Sequence, residues 1–503
     1  MSATARVLDE FPARLSRAQL DPLQSPILQS ELPGLATALD EAAMRPQLQA
    51  TLFGDGARHQ IARCNPGRTM YLAGDSCGLR YELHVRDTAS GGTIEPLVIG
   101  RVFQDHRACA AFLRNRLEPA AARLRGRPEL AIYRTPIALL EPLGLALHVF
   151  PVDPDLPEVG DATDRRRLIE LLNARLPDVR NGHFTIEDCR VDVANYARWP
   201  RCTLRYTLDG TATGGAPSRR VIYAKVAADR SGERTTSVIA ALRERLGQRG
   251  DSNLITIPRV LGFWPDLHLL LLEAIPGRPF IGRLLKACPS GTETSPSGMP
   301  SLPEAIAACG RLAAAIHTTK IRLGDRYALD DELGWSQRSI QALRRVSPDL
   351  GAQLHAWHGQ IAAYARHARP LEPCFSHGDF KESNVLFDGT AIGLVDFDTV
   401  CQAEPALDLG QFLARLRLAV LKYQRPDAPL PAAETERLCT RLLDAYTAAA
   451  GHDGAEAERL RARARVYEIL MLLRLAVHSW QTLKVGRLAS TVTLLEERIG
   501  RLP

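Results

Sequence analysis

Lysine is scarce in this chain. Of 63 basic residues only six are lysine, at positions 225, 286, 320, 381, 422 and 484, so arginine serves almost wherever a cation is needed. A lysine kept at a given place then points to a need for a compact ammonium rather than a planar guanidinium. Long apolar runs are missing too. The longest, such as Leu269–Leu272, fall far short of the roughly 20 residues that cross a bilayer, so a membrane partner is not expected. The N-terminus, MSATARVLDEFPARL, has early acids and no apolar centre, which argues against a signal peptide. Ten cysteines occur without a C-x-x-C pair or a zinc-type spacing. They read as buried thiols of a reducing compartment, and a cytoplasmic location is expected. The net charge of +6 is dispersed arginine with no basic stripe interleaved with aromatics, so nucleic acid is not an expected partner. What remains is ordinary for a globular chain of 503 residues: 45% hydrophobic, 24% charged, and long enough for two to four domain-sized units.

Against that background one stretch stands out, Phe375 to Asp398, FSHGDFKESNVLFDGTAIGLVDFD. Val385–Phe387 and Ile392–Val395 are short apolar runs around an Asp388-Gly389 turn, a hairpin by its turn chemistry. An antiparallel pair returns the chain to its start. Asn384 at the entrance and Asp396 at the exit therefore fall on one side, close to Asp379. Each of these residues alone reads as a turn former. Together they supply what phosphoryl transfer asks of a protein, which is positioning and charge screening more than covalent chemistry. Asp379 is the candidate base. Asn384 and Asp396 offer hard oxygen donors suited to magnesium, and Asp398 is a further metal candidate.

His377-Gly378-Asp379, Asn384 and the Asp396-Phe397-Asp398 segment resemble the aminoglycoside phosphotransferase and choline kinase-like family, a small-molecule branch of the protein-kinase-like fold. The resemblance implies an ATP-binding N-lobe of antiparallel sheet, a helical C-lobe, Asp379 as catalytic base and Mg2+ on Asn384 and Asp396. Lys381 stands where protein kinases keep a catalytic-loop lysine and by that likeness touches the transferred phosphate. Lys225, within the strand-like Val221–Val226, is by the same likeness the lysine that pairs with the nucleotide phosphates. Glu244, or alternatively Glu233, on the helix that follows is its expected ion-pair partner. Leu267–Ile275 fits a last N-lobe strand running into a hinge, with backbone groups near Glu273 and Ile275 facing the adenine. Asp408 resembles a position that stabilises the catalytic loop, and His317 reads as a packed histidine.

The N-lobe pattern occurs twice. Tyr71, Cys77, Leu79, Arg80, Tyr81 and Leu83 match Tyr196, Cys202, Leu204, Arg205, Tyr206 and Leu208 at a constant offset of 125 residues. Leu147–Pro151 returns as Leu272–Pro276 at the same offset, and VIGRV at 98–102 returns as IYAKV at 222–226. This reads as a domain duplication. In the first copy Arg101 occupies the lysine position and no catalytic loop follows, so that copy is not expected to catalyse. It keeps Gly74 and Gly78, whereas the equivalent turn of the second copy, ARWPRC, has no glycine to bring amides to a phosphate.

The expected fold class is α+β, a protein-kinase-like bilobal fold preceded by a second N-lobe-like α+β domain. The expected boundaries are an N-terminal arm at 1–50, a degenerate N-lobe-like domain at 51–158, a kinase-like N-lobe at 159–285 and a helical C-lobe with the catalytic loop at 286–503. The tract Pro289–Pro303 reads as a loop between the lobes. Asp330, Asp331 and Glu332 read either as a greeting for the acceptor or as a solvated helix start. The expected activity is transfer of the ATP γ-phosphate to a hydroxyl of a sugar, amino sugar or amino alcohol. A protein kinase and a nucleotide-binding pseudokinase scaffold are the alternatives. The extra lobe is a candidate homo-oligomer contact.

Overall fold

The computed structural model describes residues 15–72, 74–198, 201–250, 254–287, 298–423 and 430–502. The expectations for the first 14 residues, for Cys288 and for most of the Pro289–Pro303 tract lie outside the described residues. The chain divides into two compact units. One comprises Met1–Phe150, Leu329–Arg366 and Leu472–Pro503, the other Pro151–Ala328 and His367–Met471.

The second unit carries the expected α+β architecture. Its five-stranded antiparallel sheet runs in the order Val260–Trp264, Leu269–Glu273, Pro217–Ala227, Arg201–Ala212, Phe184–Arg198. The period-two pattern of CTLRYTL explains the middle of it, since Cys202, Leu204 and Tyr206 are buried. Ala224 and Val226 are buried likewise, which leaves Lys225 between them on the other face. The helix Ser231–Gln248 follows and buries Val238, Ile239, Leu242 and Leu246. Beyond the hinge the unit is helical: Leu302–His317, Ala406–Tyr423, Ala432–Ala450 and the first part of Gly454–Gln481. The hairpin Val385–Phe387 with Ile392–Leu394 forms as expected, pairing Val385 with Leu394 and Phe387 with Ile392.

The first unit holds a second antiparallel sheet of the same order: Ile137–Leu140, Leu145–Val149, Leu97–Phe103, Ser76–Asp87, His59–Leu72. Register agrees as well. Cys77 faces Val102 and Tyr81 faces Val98, as Cys202 faces Val226 and Tyr206 faces Ile222. Tyr81 donates its hydroxyl to the carbonyl of Ala38 at 2.7 Å, and Tyr206 does so to that of Ala162 at 2.6 Å. The likeness of the two sheets therefore reaches into the helices ahead of each.

Two expected boundaries differ from what is observed. Residues 15–50 are not an arm: Leu28, Leu32, Leu35, Ala38, Met44 and Leu48 are buried and join the first unit. The stretch 286–503 is not one lobe, because 329–366 and 472–503 also belong to the first unit. The ties are long-range and leave no local trace in sequence. Ser25 donates to the carbonyl of Val346, Thr69 to that of Thr482 at 2.6 Å, and Tyr71 meets the edge of Trp480 with ring centroids 5.4 Å apart. Glu332 is neither solvated nor open to an acceptor. It is buried and held at both oxygens by Arg474, at 2.9 and 2.6 Å. Among the described residues no helix is long and apolar enough to cross a membrane, and nine cysteines are free thiols.

Candidate active site

The turn that carries Asp379 is built on a glycine. Gly378 has φ +77, and a Cβ there would run into the carbonyl oxygen of Thr399, so the chain between His377 and Asp379 closes only without a side chain. His377 is fully buried beside it. Its Nε2 lies 3.1 Å from the carbonyl of Val395, and its Nδ1 accepts from the backbone N–H of Asp379 at 3.3 Å. Those partners fit the tautomer with the proton on Nε2. The imidazole thus ties the turn that presents Asp379 to the strand end that presents Asp396.

Helix Ala406–Tyr423 holds the turn from below. Asp408 is buried and accepts from the backbone N–H groups of His377 at 2.7 Å and Gly378 at 2.8 Å. His317 Nε2 lies 3.0 Å from the same carboxylate, and its Nδ1 is 3.1 Å from the Tyr446 hydroxyl. Burial pushes the Asp408 carboxyl up, but the His317 hydrogen bond and the histidine and backbone contacts outweigh it and hold the group below the usual carboxylate range. One helical turn on, Gln411 accepts from the Phe380 N–H at 3.1 Å and donates to the Gly378 carbonyl at 3.0 Å. Sequence reasoning found Asp408 and His317 but missed Gln411. The available signal was its spacing, three residues after Asp408 and so on the same face of the helix.

Asn384 donates through Nδ2 to the backbone carbonyl of Asp379 at 3.0 Å, which leaves its amide oxygen as the end suited to a cation. Its own carbonyl accepts from Val395 N–H at 3.1 Å, which sets Asn384 beside the residue preceding Asp396. Asp396 sits at φ +73, an uncommon conformation that aspartate tolerates better than most residues. Lys225 donates to Asp396 Oδ1 at 2.7 Å and to Asp398 Oδ1 at 2.9 Å. At Asp396 burial again pushes the pKa up, and the charge of Lys225 foremost, with His377 and Lys381, turns it below the ordinary value. Lys381 pairs with Asp379 Oδ2. The structure therefore links Lys225 to Asp396 and Asp398 by hydrogen bonds, sets Asp379, Lys381 and Asn384 on one bonded turn of the same unit, and lines a small cavity with Lys225 and Asp398. Arg201 joins them, 3.8 Å from Asp398 Oδ2, and the sequence reading had not singled it out.

The expected glutamate partner of Lys225 is a correction. Glu244 is exposed and bonded to Gln248 at 3.1 Å, and Glu233 is exposed beside Arg230 at 3.4 Å. The turns of the helix that share a cavity with Lys225 present Ser231, Gly232 and Thr235 instead. Helical spacing located the helix but not which of its faces meets the strand. Glu273 closes its strand opposite Ile222 and is tied to Arg259, and with Ile275 it lines a second cleft beside Arg243, Leu246 and Thr256. The donor set at Asn384 and Asp396 fits a magnesium ion completed by phosphate oxygens, the usual way this ion is held beside a nucleotide.

Residues 239–459 match the model of a phosphotransferase enzyme family, APH. No curated protein matches the chain. Among solved structures, a choline/ethanolamine kinase family protein from Mesorhizobium loti is similar at 15% identity and a TM-score of 0.41, over 67% of this chain and 97% of that one. An ethanolamine kinase from Plasmodium vivax is similar at 12% identity and a TM-score of 0.43, over 66% and 87%. A glucosamine kinase crystallised with glucosamine, ADP and inorganic phosphate is similar at 17% identity and a TM-score of 0.44, over 68% and 87%. Lys225 precedes the matched stretch, while the turn at Gly378, the hairpin and the helix that holds that turn fall inside it, and over residues 239–459 the chain is similar to this phosphotransferase family.

Proposed function

We propose that the chain is an ATP- and magnesium-dependent kinase that phosphorylates a hydroxyl of a small molecule, with Asp379 as the base. The observation that carries this reading is the meeting of Lys225 with Asp396 and Asp398 beside a turn that presents Asp379. In this reading Lys225 holds the nucleotide phosphates, and Asn384 and Asp396 hold Mg2+, whose charge screens the phosphate oxygens. Asp379 orients the acceptor hydroxyl and takes its proton as the oxygen attacks the γ-phosphorus, and the bond from that phosphorus to the β–γ bridging oxygen breaks with ADP as the leaving group. Lys381 meets the transferred phosphoryl group in this reading, and its pairing with Asp379 supports that role. The backbone of Glu273–Ile275 is the proposed adenine contact. A sugar, an amino sugar or an amino alcohol is the proposed acceptor class.

The test is phosphate transfer from ATP by the purified full chain to a panel of such acceptors, with and without Mg2+. One acceptor should be phosphorylated in a strictly Mg2+-dependent way. Asp379→Asn should lower the rate by about 10²-fold or more while nucleotide affinity stays close to wild type. A wild-type chain that binds ATP but transfers to none of them favours the scaffold reading, for which the glycine-free sequence ARWPRC is the best support. Phosphorylation of proteins alone would favour a protein kinase.

A further inference from the structure

Resting on that reading, we infer that Asp398 is a positioning residue that fixes the Lys225 ammonium, the part for which the sequence suggested a glutamate of the following helix. An ammonium on a four-carbon stem needs a fixed partner if it is to meet a phosphate in one place. Helix Ser231–Gln248 has only two acids, Glu233 and Glu244, and both are exposed and engaged by other residues. The helix residues that line the cavity with Lys225 are Ser231, Gly232 and Thr235. Gly232 packs so closely on Phe263 that a side chain there would strike the ring. The carboxylate therefore comes from the loop on the other side.

The backbone explains how two aspartates two residues apart reach one amine. Asp396 has a positive φ, and Phe397–Thr399 coils into a short 3-10 turn at once afterwards. Both carboxylates then meet Lys225, at 2.7 and 2.9 Å. They are not alike. Asp396 is the more open, its side chain 40% exposed against 21% for Asp398, and the residue before it, Val395, donates its N–H to the backbone carbonyl of Asn384. Asp398 lies between two cations, Lys225 at Oδ1 and Arg201 at Oδ2. A carboxylate already neutralised on both sides is a poor further ligand for a dication and a good anchor for an amine. This narrows the metal set to Asn384 and Asp396 and gives Asp398 a separate duty.

The test compares the full-length wild type with Asp398→Asn, Asp396→Asn, Lys225→Ala and the Asp398→Asn/Lys225→Ala double variant. The readouts are ATP affinity by calorimetry and the Mg2+ concentration for half-maximal rate. If Asp398 acts through Lys225, the double variant binds ATP no more weakly than Lys225→Ala alone. Asp398→Asn lowers kcat by about 10²-fold with the Mg2+ requirement unchanged, whereas Asp396→Asn raises that requirement. A glutamate supplied from the helix, Asp398→Asn/Thr235→Glu, recovers about tenfold of the lost rate. Losses of ATP affinity that simply add, or an Asp398→Asn chain that needs markedly more Mg2+, would make Asp398 a metal ligand and overturn the inference. A wild type that binds no nucleotide overturns the kinase reading itself, a result distinct from either.

Discussion

Asp408 shows how one buried carboxylate holds the turn that presents Asp379. Its two oxygens meet two consecutive backbone N–H groups of the catalytic turn and the ring of His317. Asp408→Asn keeps the shape but turns one acceptor into a donor that faces another donor, and it removes a buried charge from its histidine. The expected cost is ~3 kcal/mol of stability, read as a lowered denaturant midpoint. The sign of the pH dependence follows from the direction of the shift. A carboxyl held below its ordinary value adds stability above the unfolded pKa, about 3.9, and that contribution fades as pH falls through the folded value. The gap between wild type and Asp408→Asn should therefore be full at pH 7 and shrink below about pH 4. A gap that widened in acid would show that Asp408 does not bind its partners as a carboxylate. Gly378 makes the companion case. Gly378→Ala adds roughly 1–2 kcal/mol for a positive φ, with a clash against Thr399 on top. Activity should fall with stability there, and a fully active, equally stable Gly378→Ala chain would contradict the turn as described.

At the scale of elements the candidate site is a hairpin, a turn and one helix that clamps the turn. Helix Ala406–Tyr423 reaches the turn with two side chains a single turn apart, Asp408 and Gln411. Gln411→Ala leaves the Phe380 N–H and the Gly378 carbonyl without that partner, an expected loss of about 1–2 kcal/mol. If the clamp also sets the position of Asp379, kcat falls while ATP affinity holds; unchanged kcat with lowered stability would make Gln411 a packing residue only. Much of this element was legible beforehand, because everything between His377 and Asp398 is local: an Asp-Gly turn fixes the hairpin, and the hairpin fixes which residues meet. What was illegible depended on which helix face meets which strand. Glu244 and Thr235 lie on one helix, and neither their periodicity nor their charge says which of them looks at Lys225. The boundary at residue 50 failed for a similar reason, since short helices with prolines carry too little periodicity to reveal that Leu35, Met44 and Leu48 are buried.

At the scale of the whole molecule, two sheets among the described residues share one strand order, and the proposed catalytic residues belong to the second unit. In the sequence identical positions recur at a nearly fixed offset, and in the structure the two sheets share strand order and register. The sequence also put arginine where the first sheet would need its lysine, and the structure gives that exchange a physical meaning. Arg101 donates through Nε to Ser76 at 2.8 Å and through a terminal nitrogen to Asp75 at 2.5 Å. Its guanidinium lies 5.2 Å from the ring centre of Phe103 and 5.3 Å from that of Phe112. Phe103 and its neighbours Cys109, Leu117 and Ala146 form an apolar cluster beside it. A cation so committed, on a sheet with no Asn384 or Asp396 of its own, has no reason to seek a phosphate. One nucleotide per chain is therefore expected in a calorimetric titration, with binding sensitive to Lys225→Ala and indifferent to Arg101→Lys. The second substitution restores an ammonium to the first sheet, yet it leaves the aromatic packing in place and supplies no metal ligand. Its effect should be confined to stability, through the lost pairing with Asp75 and Ser76. Two equivalents of nucleotide bound by the wild type, or binding that survived Lys225→Ala and vanished with Arg101→Lys, would mean that the first sheet is a nucleotide site in its own right.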